Sequence, residues 1–506
     1  MNRTPPGIAG SVELPLSQVV KRLEAAGLLL DSPAEDVVLR GICDDSRKVQ
    51  PGDLFCAWSG TAADGHDFVG AAEAAGAVAV LVERPVPEHG MAQVVVRQGR
   101  HAAAQAASVV LGDPAAELAL VGVTGTNGKT TTVWLLQHLL SRKYAVGSMG
   151  TLGVFFPDGR RLADAADLTT PGPVGAAVTL RALAHEGTEV VAMEVSSHAL
   201  EQGRLSACSF RTGVFTNVGR DHLDYHGTTE NYLSVKRGFV DLLAEDGVAV
   251  INGDDPAWDG LAELAPRAVC YGLRSGDVDV RATVLESGSS GSRFLLETVQ
   301  DSQVVHLPLL GQYNVENALA SAVAAMALGC SLQEVVAGLT DAPQVPGRLE
   351  VIASRPCPVL ADYAHTPDAL AGALAALRPL APGRLIVVFG AGGERDVGKR
   401  SLMGQAAVAG ADVVVVTSDN PRREDPESII DHIVADLEPG SYSREVDRRE
   451  AIRKALDLAG PDDVILLAGK GHEMYQVVGT DRLPFDERQV VSSLLASGAG
   501  QADAGS

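Results

Sequence analysis

A glycine-rich turn joining a strand-like to a helix-like segment constrains this 506-residue chain more than any other feature: VTGTNGKTTT at 123–132. Upstream, the apolar run LALVGV (118–123) reads as a buried strand. Downstream, TTTVWLLQHLL (130–140) repeats apolar residues at three- and four-residue steps, as a helix does. Gly125 and Gly128 let the backbone curl so that successive amides, those of Thr126 and Asn127 among them, point inward at an anion. The helix N-terminus, through Thr131, adds its positive end. Lys129 can then lie along the β- and γ-phosphates of ATP, with the Thr130 hydroxyl placed to ligate Mg²⁺. Val123 stands where the common phosphate-loop pattern has its first glycine.

A chain this long suggests about three domains of ~100–200 residues each. With 41 Lys+Arg against 64 Asp+Glu, the net charge of −23 argues against nucleic acid or an anionic membrane surface as partner, so anionic ligands need local basic pockets. No apolar stretch reaches 18 residues and the N-terminus has no secretory core, so a cytoplasmic protein with no membrane insertion is expected. Cys43, Cys56, Cys208, Cys270, Cys330 and Cys357 form no CxxC pair and read as reduced, partly buried thiols.

Strand- and helix-like segments alternate, predicting an α/β fold of three domains. The expected boundaries are 1–115, 116–345 and 346–506, with disordered tails at 1–10 and 494–506. The central domain is expected to be a P-loop-type, mostly parallel sheet, with antiparallel strands appended near 278–308. The third is expected to be Rossmann-like, its ligand loops at the carboxyl ends of the strands: DYAHTP, GAGGERDVGKR, SDNPRRED and GKGHEMY.

Glu194, ending the run VVAMEVSSH, and His222, in NVGRDHLDYHG, stand at strand ends of the nucleotide-loop sheet, where they can hold Mg²⁺. Lys236 falls on a helix, and by pattern alone it is an ordinary surface lysine.

Taken together, TGTNGKTT, EVSSHALEQGR, TNVGRDHLDYHGT with YLSVK, GQYNVENALA and DYAHTPDAL resemble the Mur ligase family, whose enzymes assemble the stem peptide of peptidoglycan. The resemblance spans about 40 to 495 and implies, in order, a UDP-sugar domain, an ATPase domain and an amino-acid domain. It is strongest to the branch that adds a third residue to UDP-N-acetylmuramoyl-L-alanyl-D-glutamate. By that resemblance, Ser46, beside Asp45 and Arg47, meets the UDP-sugar, with Thr61, Ala62 and Ala63 lining the same pocket. It implies that Thr169, Thr170, Ser196, Gln202 and Arg204 surround the peptide end. It implies further that Lys236 becomes N-carboxylated and joins Thr130, Glu194 and His222 as a metal ligand. On the same grounds Asn314, Asn317, Arg348 and Asp362 serve ATP, the last two closing over it from the third domain.

The quartet Asp419, Asn420, Pro421 and Arg422 resembles the signature of the meso-diaminopimelate-adding branch. The chemistry agrees: Arg422 can grip a carboxylate in bidentate fashion. Arg395 can hold a second carboxylate, and Glu473, near Gly469, can meet the distal ammonium. Residues 423–425 read as a solvated turn, and Glu394 stands where aspartate is expected. The implied reaction is amide formation through an acyl phosphate, in a monomer. Rival readings are a lysine-adding or D-alanyl-D-alanine-adding Mur-type ligase, a folylpolyglutamate synthase-like ligase, a motor-type P-loop ATPase and a non-catalytic nucleotide-binding protein.

Overall fold

The computed structural model describes residues 13–60, 63–162, 168–274, 276–288 and 290–502. Within them lie three α/β units in chain order. The first holds a five-stranded sheet in the order Leu29–Asp31, Ala92–Val96, Ala79–Val82, Asp53–Cys56, Gly41–Cys43, parallel except at its first pairing.

The central unit is built on a ten-stranded sheet. Gly153–Phe155 pairs antiparallel with Val146–Gly150 at one edge. Parallel strands follow in the order Val146–Gly150, Val190–Glu194, Ala119–Thr124, Phe210–Phe215, Leu243–Asn252, Arg267–Gly272, Val280–Gly288. The antiparallel extension expected near 278–308 is Val280–Gly288, Gly291–Thr298 and Ser302–Leu307. Ala119–Thr124 is covered on both faces, which is why its side chains read as a continuous apolar run. Val121 and Val123 pack with Leu135, Leu136 and Val315, while Leu120 packs with Phe210 and Phe239 on the opposite face.

The third unit has a six-stranded sheet ordered Glu350–Ala353, Val359–Asp362, Val464–Ala468, Leu385–Phe389, Val413–Val416, Ser443–Arg444, parallel beyond its first pairing. Val387 and Phe389 face Leu370, Leu374 and Met403, and Ile386 and Val388 face Ile452. Two elements depart from expectation. A two-stranded hairpin, Tyr475–Val478 with Asp481–Pro484, follows the last ligand loop. The segment from 494, expected to be a disordered tail, continues a helix, Glu487–Ala502. Val490 and Val491 anchor that helix in the third unit's core, with Leu494 and Leu495 partly buried against it. The tail expected at 1–10 lies outside the described residues. Among the described residues no helix is long and apolar enough to cross a membrane, and no disulfide is formed.

Candidate active site

The central and third units meet at a cleft of about 740 Å³ whose walls come from strand-end loops of both. The phosphate loop forms its floor, from Thr126 to Thr131, with the helix Lys129–Leu140 rising behind. Gly128 is at φ +86°, and a Cβ there would lie 2.3 Å from Asn317 Oδ1, so a side chain is excluded by both strain and contact. Lys129 Nζ folds onto the loop, donating to the carbonyls of Gly125 and Thr126, each at 2.9 Å. Thr130 Oγ1 accepts from Arg348 Nη2 at 3.0 Å, a contact reaching across from the third unit. Arg348 also lies 4.8 Å from the Tyr363 ring centre.

Glu194 ends its strand one register step from the loop, opposite Val123, and is buried. Its Oε1 accepts from the Thr151 amide at 2.8 Å and its Oε2 from the Thr151 hydroxyl at 3.1 Å. His222 opens a short helix at φ +54°, and burial holds its imidazole below the ordinary value, hence neutral. Thr130, Glu194 and His222 all line the cleft. Lys236 does not. It lies beneath the phosphate loop, buried, its Nζ donating to Gly125 O at 2.7 Å and sitting 4.7 Å from the Tyr232 ring centre. Burial pushes its pKa far below the ordinary lysine value. Among the described residues no three His, Cys, Asp or Glu side chains gather as a metal cluster.

The expected nucleotide residues divide. Asn317 lines the cleft, whereas Asn314 is buried behind it, accepting from Asn317 Nδ2 at 3.1 Å and donating to Leu310 O at 2.8 Å. Asp362 lines the cleft, but its carboxylate oxygens accept from the backbone amides of Leu349 and Ala364 at 2.7 and 2.8 Å. It therefore fixes the turn that presents Arg348. On the other flank, Thr170 Oγ1 donates to Glu194 O at 2.8 Å, and Thr169 Oγ1 lies 3.2 Å from Thr151 Oγ1. Ser196 caps the next helix through Ala199 N. Gln202 Oε1 accepts from Arg204 Nε and Nη2 at 3.0 and 2.8 Å, aiming the guanidinium that also holds Thr170 O. Ser46 sits in a half-buried turn of the first unit, outside the cleft, as does exposed Ala63; Thr61 and Ala62 lie outside the described residues.

At the third unit's end, exposed Arg395 and half-buried Arg422 face the cleft together. Arg422 adopts φ +53°, held by its amide on Val477 O at 3.0 Å and its carbonyl under Gly479 N at 2.7 Å. Glu473 Oε2 accepts from Asn420 Nδ2 at 2.8 Å and from Lys470 Nζ at 3.0 Å. Asp419 Oδ2 is buried with no hydrogen-bond partner and aims at Gly469, whose φ of +114° and missing Cβ admit it. Pro421 lies off the cleft; its carbonyl packs against Gly393.

Four residues escaped the sequence reading. Lys470 is wholly buried under Glu473, and Lys399 lines the cleft from the third unit's side. Arg448, also wholly buried, donates to Ala468 O at 2.9 Å and pairs with Glu487 at 2.7 Å. Asp44 lies at the seam of the first and central units, its Oδ1 buried and unpartnered, its Oδ2 3.8 Å from where a Gly172 Cβ would stand. Burial pushes its pKa up to about 7. Only the doubled aspartate of DDSR hinted at it.

Comparison with known proteins identifies the family. Three models match: the Mur ligase family catalytic domain over residues 38–112, the Mur ligase middle domain over 123–325 and the Mur ligase glutamate ligase domain over 347–471. The UDP-N-acetylmuramoyl-L-alanyl-D-glutamate–2,6-diaminopimelate ligase of Geobacter metallireducens is 42% identical, covering 94% of this chain and 97% of its own. The ligase of the same name from Geobacillus kaustophilus is 44% identical over 89% and 94%. A solved structure of a ligase of that name is 36% identical, with a TM-score of 0.64, covering 90% of this chain and 95% of its own. The chain belongs to the Mur ligase family.

Proposed function

We propose that the chain is an ATP-dependent acid–amino-acid ligase joining meso-diaminopimelate to the D-glutamyl γ-carboxylate of UDP-N-acetylmuramoyl-L-alanyl-D-glutamate. One observation carries the choice of amino acid: Arg395 and Arg422 line the same cleft as the phosphate loop, with Asp419 and Glu473 beside them. A molecule with two carboxylates and two ammonium groups satisfies such a set. Lysine would leave the half-buried Arg422 without an anion, at a cost of about 1 kcal/mol or more.

The γ-carboxylate attacks the γ-phosphorus of ATP, giving an acyl phosphate and ADP. The free amine then attacks the acyl carbon, and phosphate leaves from a tetrahedral intermediate. A carboxylate and a triphosphate repel one another, so the work of the site is positioning and charge neutralisation. Lys129, Arg348 and Lys399 supply cationic charge from opposite walls of the cleft. Thr170 and Arg204 lie where the peptide end would rest beside Glu194.

The donor set suits Mg²⁺: one carboxylate, one hydroxyl and a neutral imidazole line the cleft, leaving room for phosphate oxygens and water. When bound between Thr130, Glu194 and His222, the ion would neutralise phosphate charge. Lys236 is suited to N-carboxylation because a buried, neutral amine is nucleophilic. Its Nζ lone pair attacks CO₂, a C–N bond forms, and one proton leaves, giving a carbamate anion. We place the reaction in the cytoplasm and assign it to a monomer.

The test is phosphate release with the UDP-muramoyl-dipeptide and ATP, comparing meso-diaminopimelate, L-lysine and D-alanyl-D-alanine. Turnover with diaminopimelate alone is expected; equal rates with lysine would sink the assignment of Arg422.

A further inference from the structure

We infer that Arg400 and Glu424 form a clasp that sets amino-acid selectivity by fixing the two arginine-bearing loops against each other. The inference rests on the diaminopimelate reading of the cleft. Arg400, on the helix Gly398–Gly410, has a side chain with no exposure. Its Nη1 donates to Glu424 Oε2 at 2.9 Å and its Nη2 to Glu424 Oε1 at 3.0 Å. Nη2 also reaches Gly392 O at 3.2 Å, and Nη1 meets His432 Nδ1 at 3.0 Å. Glu424 Oε1 accepts a further short hydrogen bond from the amide of Glu394.

The guanidinium thus joins the loop carrying Arg395, through Gly392, to the loop carrying Arg422, through Glu424, whose carboxylate also holds the Glu394 amide. A third strut is Arg422 Nη1 donating to Gly393 O at 2.7 Å. Glu394 and Arg422 both hold positive φ, at +52° and +53°, which surrounding structure must enforce. Burying a guanidinium completely costs several kcal/mol, which its salt bridge recovers only in part. An apolar side chain would fill that space at lower cost, so what the arginine adds is register between two loops. Two cations facing one substrate repel each other and need such a brace to hold their spacing. Arg400 and Glu424 are positioning residues; neither lines the cleft.

Glu424→Gln discriminates sharply. Three donors converge on two carboxylate oxygens, and an amide offers one oxygen and turns two hydrogens toward the others. The experiment measures phosphate release by full-length E424Q, R400K and the double variant, varying each substrate in turn. The KM for meso-diaminopimelate should rise about 10- to 100-fold, and preference over L-lysine should fall by a similar factor. The KM values for ATP and nucleotide sugar should stay within about twofold, and the double variant should be no worse than the worse single. A general loss of packing would raise all three KM values together and leave preference unchanged; that result overturns the inference. Should R400K fail to fold, E424Q decides alone, because that carboxylate is 30% exposed. A wild-type enzyme inactive with diaminopimelate would remove the ligase reading itself, a result separable from the selectivity loss.

Discussion

Lys236 and Lys129 both point at the carbonyl of Gly125, yet they face different tasks. Lys236→Ala should lower phosphate release about 100-fold or more, with no recovery on adding bicarbonate, because the amine that would carry the carbamate is gone. Wild-type turnover in that variant would end the carbamate role. Arg422→Lys should raise the KM for diaminopimelate by about 10-fold or more, since an ammonium cannot reproduce a two-pronged grip on a carboxylate. Asp44 gives a pH prediction. Its folded pKa of about 7 exceeds the ordinary 3.8, so between those values the folded state holds the extra proton. Stability should therefore fall as pH rises from about 4 to about 7 and level off above. Asp44→Asn should raise Tm by a few degrees more at pH 8 than at pH 5, as thermal melts would show.

Strands and loops follow different rules of legibility. Parallel strands covered on both faces leave unbroken apolar runs, so Ala119–Thr124, Val190–Glu194 and Leu385–Phe389 could be read directly. The hairpin Tyr475–Val478 with Asp481–Pro484 could not, because it is half-exposed and shows no alternation. Glu424 read as part of a solvated turn and Arg400 only as the last residue of the charged loop GAGGERDVGKR, since a pairing with a distant partner leaves no mark in the sequence. Asn314 and Asn317 sit one helical turn apart, and spacing cannot tell which faces the ligand. Gly128→Ala tests the loop as an element. Strain at positive φ together with the clash on Asn317 should raise the KM for ATP about 10-fold or more while leaving the Tm of the third unit unchanged.

At the scale of the whole molecule, a net charge of −23 opposes every anionic substrate the cleft is built to receive. Charges farther away than ~10 Å are screened first, while contacts inside the cleft are screened least. Raising salt from about 10 to about 150 mM should therefore increase kcat/KM for the nucleotide sugar, by roughly 2- to 5-fold. Initial rates across that range would check it, and a monotonic fall would show that local cations dominate the approach.

Arg448 has a consequence reaching to the end of the chain. Its guanidinium links Glu487, the first residue of the last helix, to the carbonyl of Ala468, just ahead of Gly469. Trimming the protein back to residue 486 would strip that arginine of the Glu487 carboxylate and uncover Ile386 and Val388, so the shortened product should aggregate on expression.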